Sequence, residues 1–193
     1  MDLFMFYKKS LQGCQKLSKR KPLLDLSKMF ANNLMAYASF LKSRFPRDPD
    51  RVLPEDEFKR IAFILNTADY CHTNVTQLQA KIKEKIDPSL AEQVDFNQPL
   101  EEFLGLTVSA IAIEVRALQA AVSVSLSAMS RIQWSTFDSV GDQSQHVTEM
   151  VATMKERVNV VRNAISGSKF FKQFCIKFIE CVKCWIVGVF GGE

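Results

Sequence analysis

The sequence has few of the residues that build tight turns. It contains seven glycines and six prolines in 193 residues. Proteins made of many short strands depend on such residues between the strands, and the chain also has no segment with a clean alternation of apolar and polar residues. Apolar residues instead recur at steps of three and four, which is the period of an amphipathic helix. We therefore predict an all-α fold, an antiparallel helical bundle or rod of about six to seven helices.

The sequence also lacks the motifs that carry common enzyme chemistry. It has no phosphate-binding P-loop, no GxSxG, no HExxH and no EF-hand loop. No carboxylate in an apolar run has a partner three or four residues away, as paired acid–base work would require. We predict no catalytic, cofactor-binding or metal-ligating residue, and we expect that the protein is not an enzyme.

Five cysteines are present, and two of them, Cys181 and Cys184, form a CxxC pair. A structural zinc site needs four ligands, and no second pair of cysteines or histidines lies nearby. His72 falls on or beside an apolar helical stripe, which favours a place in a helix seam over a ligand role. Because the first residues do not resemble a signal peptide, we expect a cytosolic protein with reduced thiols.

Charge is distributed unevenly along the chain. Residues 1–51 contain eleven Lys/Arg and four Asp/Glu, a balance of +7, whereas residues 52–193 contain fourteen and seventeen, a balance of −3. The basic excess is densest at Lys16, Lys19, Arg20 and Lys21. Such a run favours a solvated loop between helices, and the alternative is a surface for an anionic membrane or a nucleic acid.

The chain is expected to have four parts, and Pro46 and Pro49 mark the first boundary. Residues 1–45 form a basic helical hairpin, with Pro22 in the first turn of its second helix. Residues 46–53 form a proline-rich linker, residues 54–178 a helical bundle, and residues 179–193 an apolar tail. Within the bundle, Pro54 is expected to start a long helix, and Asp87 with Pro88 to end it and cap the next turn.

The segment from Met129 to Ile165 predicts a helix, a corner and a second helix. In the second helix the apolar residues at 147, 151, 154, 158, 161 and 165 form one stripe. Ser144 is expected to cap its start, Gly167 to end it in a left-handed conformation, and Trp134 and Phe137 to fill the corner.

Two further segments are strongly apolar. The segment from Gln98 to about Met129 predicts the most buried helix, packed on several sides, and its internal charges argue against a membrane span. A last helix is expected from Lys169 to about Lys183. The residues after it, Trp185–Gly192, would expose an apolar patch if they formed a free terminus.

Six segments, in this order, together resemble one known family. They are Asp2–Lys9, Ile64–Cys71, Gln77–Asp87, Ala128–Trp134, Val140–Ser144 and Phe171–Phe178. The set is similar to the vacuolar protein sorting-associated protein 53 family, over most of residues 2–178. Two departures are expected: the family's N-terminal coiled-coil region is not present ahead of Met1, and the tail Ile179–Glu193 diverges.

The resemblance implies a role without catalysis. Members are subunits of the Golgi-associated retrograde and endosome-associated recycling protein complexes, vesicle tethers built from helical rods. It implies that the other tether subunits, SNARE proteins and small GTPases are partners, that nucleic acid is not, and that the protein lies on the cytoplasmic face of trans-Golgi and endosome membranes. The alternative is a small, basic, amphipathic helical protein that binds anionic membrane surfaces.

Overall fold

The structure, a computed structural model, describes residues 3–133, 141 and 144–190, with only the backbone described at 186 and 188–190. The α-helices are α1 (Leu3–Leu17), α2 (Lys21–Lys42), α3 (Glu55–Lys85), α4 (Asn97–Met129), α5 (Gln145–Ala164) and α6 (Ser168–Phe190). A short 3₁₀ helix, Pro88–Gln93, lies between α3 and α4. The described residues contain no strand, so the predicted all-α class and the number of helices are confirmed.

The helix starts lie where local sequence places them. Pro22 lies in the first turn of α2, where its missing N–H costs nothing. Asp87 accepts a hydrogen bond from the backbone N–H of Ser89 (3.1 Å) at the start of the 3₁₀ helix, and Ser144 accepts one from Val147 (3.4 Å) at the start of α5. The two predicted side-chain caps are confirmed.

The end of α5 differs from the prediction. No glycine among the described residues has a positive φ, so Gly167 does not provide a left-handed stop. Instead Ile165 turns extended (φ −81°, ψ 122°), and Asn66 of α3 caps the end. The Asn66 amide donates to the carbonyl of Ala164 (2.9 Å) and accepts from the N–H of Ser166 (3.0 Å). A side chain distant in sequence therefore does what local glycine chemistry was expected to do.

The chain divides into two compact units. Unit one comprises Met1–Phe45 and Thr67–Val108, and unit two comprises Pro46–Asn66 and Ser109–Glu193. Both α3 and α4 therefore contribute one part of their length to each unit.

The core of unit one is aromatic and aliphatic. Tyr7 of α1 stacks on Phe30 of α2 with ring centroids 4.1 Å apart, and both side chains are buried. Around them are further buried residues: Leu23, Leu34, Val75, Ile82, Phe96 and Phe103. Burial of side chains of this size stabilises the fold by roughly 1.5–3 kcal/mol each, which explains why α1 and α2 pair.

The core of unit two combines parts of α3, α4, α5 and α6. Its fully buried apolar residues include Phe58, Ile61, Leu65, Leu118, Val122 and Phe174. Arg157 of α5 lies over the ring of Phe58, 5.5 Å from its centroid, so the arginine stem covers the core while its charge interacts with the ring.

Helix α4 is less buried than its composition suggested. Leu104, Val108 and Val124 are 54%, 51% and 75% exposed, so the expectation that α4 packs on several sides is wrong at these positions. By length and composition α4 is also the one helix among the described residues that could cross a membrane, and half of its most apolar window is buried within the structure. A core helix of a water-soluble protein has the same signature.

The proline-rich segment 46–53 is tied to unit two. Leu53 is fully buried, and the Nη2 group of Arg51 donates to both carboxylate oxygens of Glu57, at 2.7 and 2.9 Å. Asp50 accepts hydrogen bonds from the guanidinium of Arg116 in α4, and that contact lowers the pKa of the Asp50 carboxyl. The role of residues 46–53 as a linker stays a prediction.

The last helix continues beyond its expected end near Lys183 and reaches Phe190, so it includes most of the apolar tail. Phe171, Phe174 and Phe178 stack in sequence at about 6 Å (6.2 and 6.1 Å), and Trp185 meets Phe178 edge-on at 6.2 Å. No proline interrupts this segment, and the aromatic side chains pack against one another along the helix. The predicted corner residues Trp134 and Phe137 lie outside the described residues.

Candidate interaction surfaces

The residues that sequence singled out for metal or redox chemistry do not converge. Cys181 and Cys184 lie three residues apart on α6, and no group of three or more possible metal ligands occurs among the described residues. Burial raises the pKa of the Cys181 thiol, and the neighbouring Cys184 raises it further. A raised pKa keeps the thiol protonated and weakly nucleophilic.

His72 lies on α3 with its side chain half-buried. Its backbone carbonyl accepts a hydrogen bond from the Thr76 hydroxyl at 2.9 Å, an ordinary contact within a helix. In the part of the chain that the structure describes, His72 and the cysteines do not form an arrangement of nucleophile, base and orienting group.

The basic run between α1 and α2 is partly structural. The Arg20 guanidinium lies 3.2 Å from the Asp87 carboxylate, and the N–H of Asp87 donates to the carbonyl of Lys19 at 2.8 Å. Hydrogen bonds from the side chain and backbone of Ser89 lower the pKa of Asp87, and Arg20 lowers it further. The loop is thus held against the start of the 3₁₀ helix.

The rest of that run faces water. Lys16, Lys19 and Lys21 are exposed, and Leu17 beside them is 87% exposed. An exposed leucine among lysines is the combination by which a peripheral protein meets an anionic membrane, with the apolar side chain entering the interface and the cations near the headgroups.

Unit two carries a groove between α3 and α5. It encloses about 500 Å³ and is lined by Phe63 and Val160 together with amide and charged side chains. One wall is fixed by Asn66, which holds the end of α5 as described above. Five of its eight lining residues carry amide or charged side chains, and Glu55 at its edge already pairs with Lys59 at 2.6 Å.

Unit one carries a smaller groove between α1 and α3, which we name the α1–α3 groove. It encloses about 260 Å³ and is lined by Phe4, Met5, Lys8, Leu11, Tyr70, Asn74, Gln77, Leu78 and Lys81. Leu11 and Leu78 are buried at its floor, while Met5 and Tyr70 are 50% and 48% exposed at its rim. Its lining therefore combines an apolar floor with aromatic and methionine side chains, residue types enriched at protein interfaces, and with two lysines.

One buried ionisable residue lies apart from both grooves. Glu114 of α4 is fully buried, and neither carboxylate oxygen has a hydrogen-bond partner in the described part of the chain. Burial raises its pKa to about 8, so the carboxyl is mostly neutral at pH 7. A single carboxyl without a partnering base does not form a catalytic pair. Its burial instead makes the stability of the fold depend on pH.

Sequence reasoning missed the α1–α3 groove and Glu114. Met5 and Tyr70 were visible as apolar residues beside the stripes that form the core, and this is the one signal that could have indicated an exposed rim. The position of Glu114 among apolar neighbours was visible too, but its complete burial depends on helices distant in sequence.

Comparison with known proteins identifies relatives but no solved fold. Vacuolar protein sorting-associated protein 53 A of Arabidopsis thaliana is 32% identical over an alignment of 181 residues, and the alignment covers 88% of this chain. The vacuolar protein sorting-associated protein 53 homolog of Caenorhabditis elegans is 30% identical over 128 residues, which is 66% of this chain. No family model and no solved structure matches.

The two relatives are much longer than this chain. The aligned part covers 22% of the Arabidopsis thaliana protein and 15% of the Caenorhabditis elegans protein. Both relatives bear the name of the family that the ordered segments resemble. Over the length that it shares with these relatives, the chain belongs to the vacuolar protein sorting-associated protein 53 family.

Proposed function

We propose that this chain is a non-catalytic segment of a vesicle-tethering subunit, which takes part in protein sorting between endosomes and the trans-Golgi network and in endocytic recycling. The observation that carries the proposal is the 32% identity to a vacuolar protein sorting protein over 88% of the chain. Its partners are the other subunits of the tether, together with SNARE proteins and small GTPases, and it acts on the cytoplasmic face of those membranes.

The structure supports a role in helix–helix contacts. Buried apolar stripes form the core, while further apolar side chains remain exposed on the same helices, for example Leu104 on α4 and Ile179 on α6. Exposed apolar side chains in helical register are what a second helix packs against. The described residues offer binding surfaces of this kind and no cluster of catalytic groups.

Localisation in cells tests the proposal. The chain, tagged and expressed at low level, is expected to overlap with trans-Golgi and recycling-endosome markers. A Leu65→Asp variant serves as control, because a charge at this fully buried position removes the fold. A diffuse distribution of the wild-type chain, indistinguishable from that of the variant, would argue against the proposal.

A second candidate function is direct binding to anionic membranes, which the exposed Leu17 among Lys16, Lys19 and Lys21 favours. Co-sedimentation with phosphatidylserine vesicles is then expected at low salt, and should weaken when the three lysines are changed to glutamine. Substituting three exposed lysines elsewhere, Lys28, Lys42 and Lys155, gives a control of equal charge. Absence of binding at low salt would exclude this function.

A further inference from the structure

We propose that the α1–α3 groove is a docking site for an acidic amphipathic helix of a partner protein. The proposal goes beyond the tethering role and does not depend on it. It rests on the shape of the groove, on its apolar floor and on the charges at its rim.

The shape of the groove suits a helix. Residues on one face of α3, from Tyr70 to Lys81, form one wall, and residues of α1 from Phe4 to Leu11 form the other. These twelve residues of α3 extend about 16 Å, the length of about three turns of a docked helix. A helix with apolar residues at steps of three and four presents one side chain per turn to such a cleft.

The apolar surface of the groove is built in two levels. Leu11 and Leu78, at 6% and 7% exposure, form a floor that is reached only from within the cleft. Above them, Phe4 and Tyr70 meet edge-on with centroids 5.7 Å apart, and Met5 projects at 50% exposure. Aromatic and methionine side chains adapt to an incoming apolar residue and are enriched at interfaces.

The charge at the rim defines the partner. Among the described residues that line the groove, two are lysines, Lys8 and Lys81, and none is acidic. The nearby Glu84 already pairs with Lys85 at 2.8 Å. Positive rim charges favour carboxylates that flank the apolar stripe of the occupant, and they increase the rate and specificity of its binding.

Two other occupants fit less well. A membrane surface is flat and does not reach a floor recessed between two helices. A second copy of this chain could offer the exposed stripe Glu101, Leu104 and Val108 of α4. That stripe extends over eight residues, about 10 Å, and is therefore shorter than the α3 wall of the groove.

The test uses the full chain and a synthetic helical peptide. The probe has leucines at steps of three and four over three turns, flanked by glutamates, and carries a fluorophore for anisotropy. Binding is expected, and Lys8→Glu with Lys81→Glu should weaken it about tenfold. The same change of net charge at Lys28 and Lys42, which are exposed on α2 outside the groove, should leave the affinity nearly unchanged.

Two control peptides separate the contributions. Replacing the leucines by serine keeps the charge and should abolish binding, and replacing the glutamates by lysine keeps the apolar stripe and should weaken it strongly. Circular dichroism of each protein variant verifies that it remains folded. If the acidic peptide does not bind, or binds with the same affinity to the two charge variants, the proposal is wrong.

Methyl NMR gives a second readout that needs no substitution. With ¹³C-labelled methionine methyls, the Met5 signal should shift on addition of the acidic peptide. Met29, which is 46% exposed on α2, is the internal control and should not shift. An unchanged Met5 signal at saturating peptide would overturn the proposal.

The remaining outcomes identify other occupants. Binding to phosphatidylserine vesicles that depends on Lys8 and Lys81, without binding of the peptide, would assign the surface to membranes. Dimerisation of the wild-type chain in sedimentation, lost in the Lys8 and Lys81 variant, would assign it to a second copy. Either result would overturn the proposal, and neither would affect the localisation test of the tethering role.

Discussion

At the scale of single residues, two side chains have structural roles that their local sequence does not indicate. Asn66 caps a helix that begins nearly eighty residues later in the chain (Gln145), and Glu114 places a carboxyl in the interior without a hydrogen-bond partner in the described part of the chain. Both effects depend on which helices meet, so both are read from the structure. Each should have a measurable effect on the free energy of unfolding.

Glu114 should make stability depend on pH. The unfolded chain ionises this group near its ordinary value of 4.5, whereas the folded protein keeps the proton to about pH 8. Between these values the folded state holds more protons, so stability falls as pH rises, by at most about 1.4 kcal/mol per pH unit, and the fall ends above about pH 8. Glu114→Gln should remove this slope in urea unfolding measured between about pH 5 and pH 9.

The control for this experiment is Glu101→Gln, at an exposed position on the same helix. This variant should keep the pH dependence of the wild type. Parallel stability curves for the wild type and Glu114→Gln across the whole range would contradict the burial of an unpaired carboxyl.

Asn66→Ala should destabilise the protein by about 1–3 kcal/mol, because a part-buried amide that bonds two backbone groups is lost. The measurement is urea unfolding. Asn159→Ala, an exposed asparagine on α5 that lines the same groove, should change the free energy of unfolding by less than about 0.5 kcal/mol. Equal effects of the two changes would show that Asn66 does not act as the cap of α5.

At the scale of helices, the sequence predicted a helix start wherever residues close to that start determine it. Pro22, Asp87 and Ser144 set the starts of their elements through groups within three residues, and the sequence placed each of them. Gly167 was a reasonable stop by composition, but it was wrong because Asn66 supplies the cap from another helix. The exposure of Leu104 and Val124 on α4 was not predicted, because an apolar run in the sequence does not indicate which faces of the helix are packed.

Helix α6 offers a direct test of its predicted packing. Phe174 is fully buried and stacks with its neighbours along the helix, whereas Ile176 is 48% exposed. Phe174→Ala should therefore destabilise the protein by about 3–5 kcal/mol, and Ile176→Ala by about 0.5 kcal/mol or less, in chemical denaturation. A tolerated Phe174→Ala would mean that α6 does not belong to the core of unit two.

At the scale of the whole molecule, fold class followed from composition and periodicity, and family from the ordered segments. The α1–α3 groove did not follow, because its walls come from residues about seventy positions apart, such as Phe4 and Tyr70. Within the described residues, the helices bury one apolar face and leave other apolar side chains exposed, where further helices can pack.

Affinity capture is the measurement that tests this account most directly. The tagged chain would be captured from cells of its own organism, and the co-purified proteins quantified against the unfolded Leu65→Asp control. We expect the other subunits of the vesicle tether to be enriched with the wild-type chain and lost with the variant. Recovery of no tether subunits and no vesicle or Golgi proteins above the control would contradict the account.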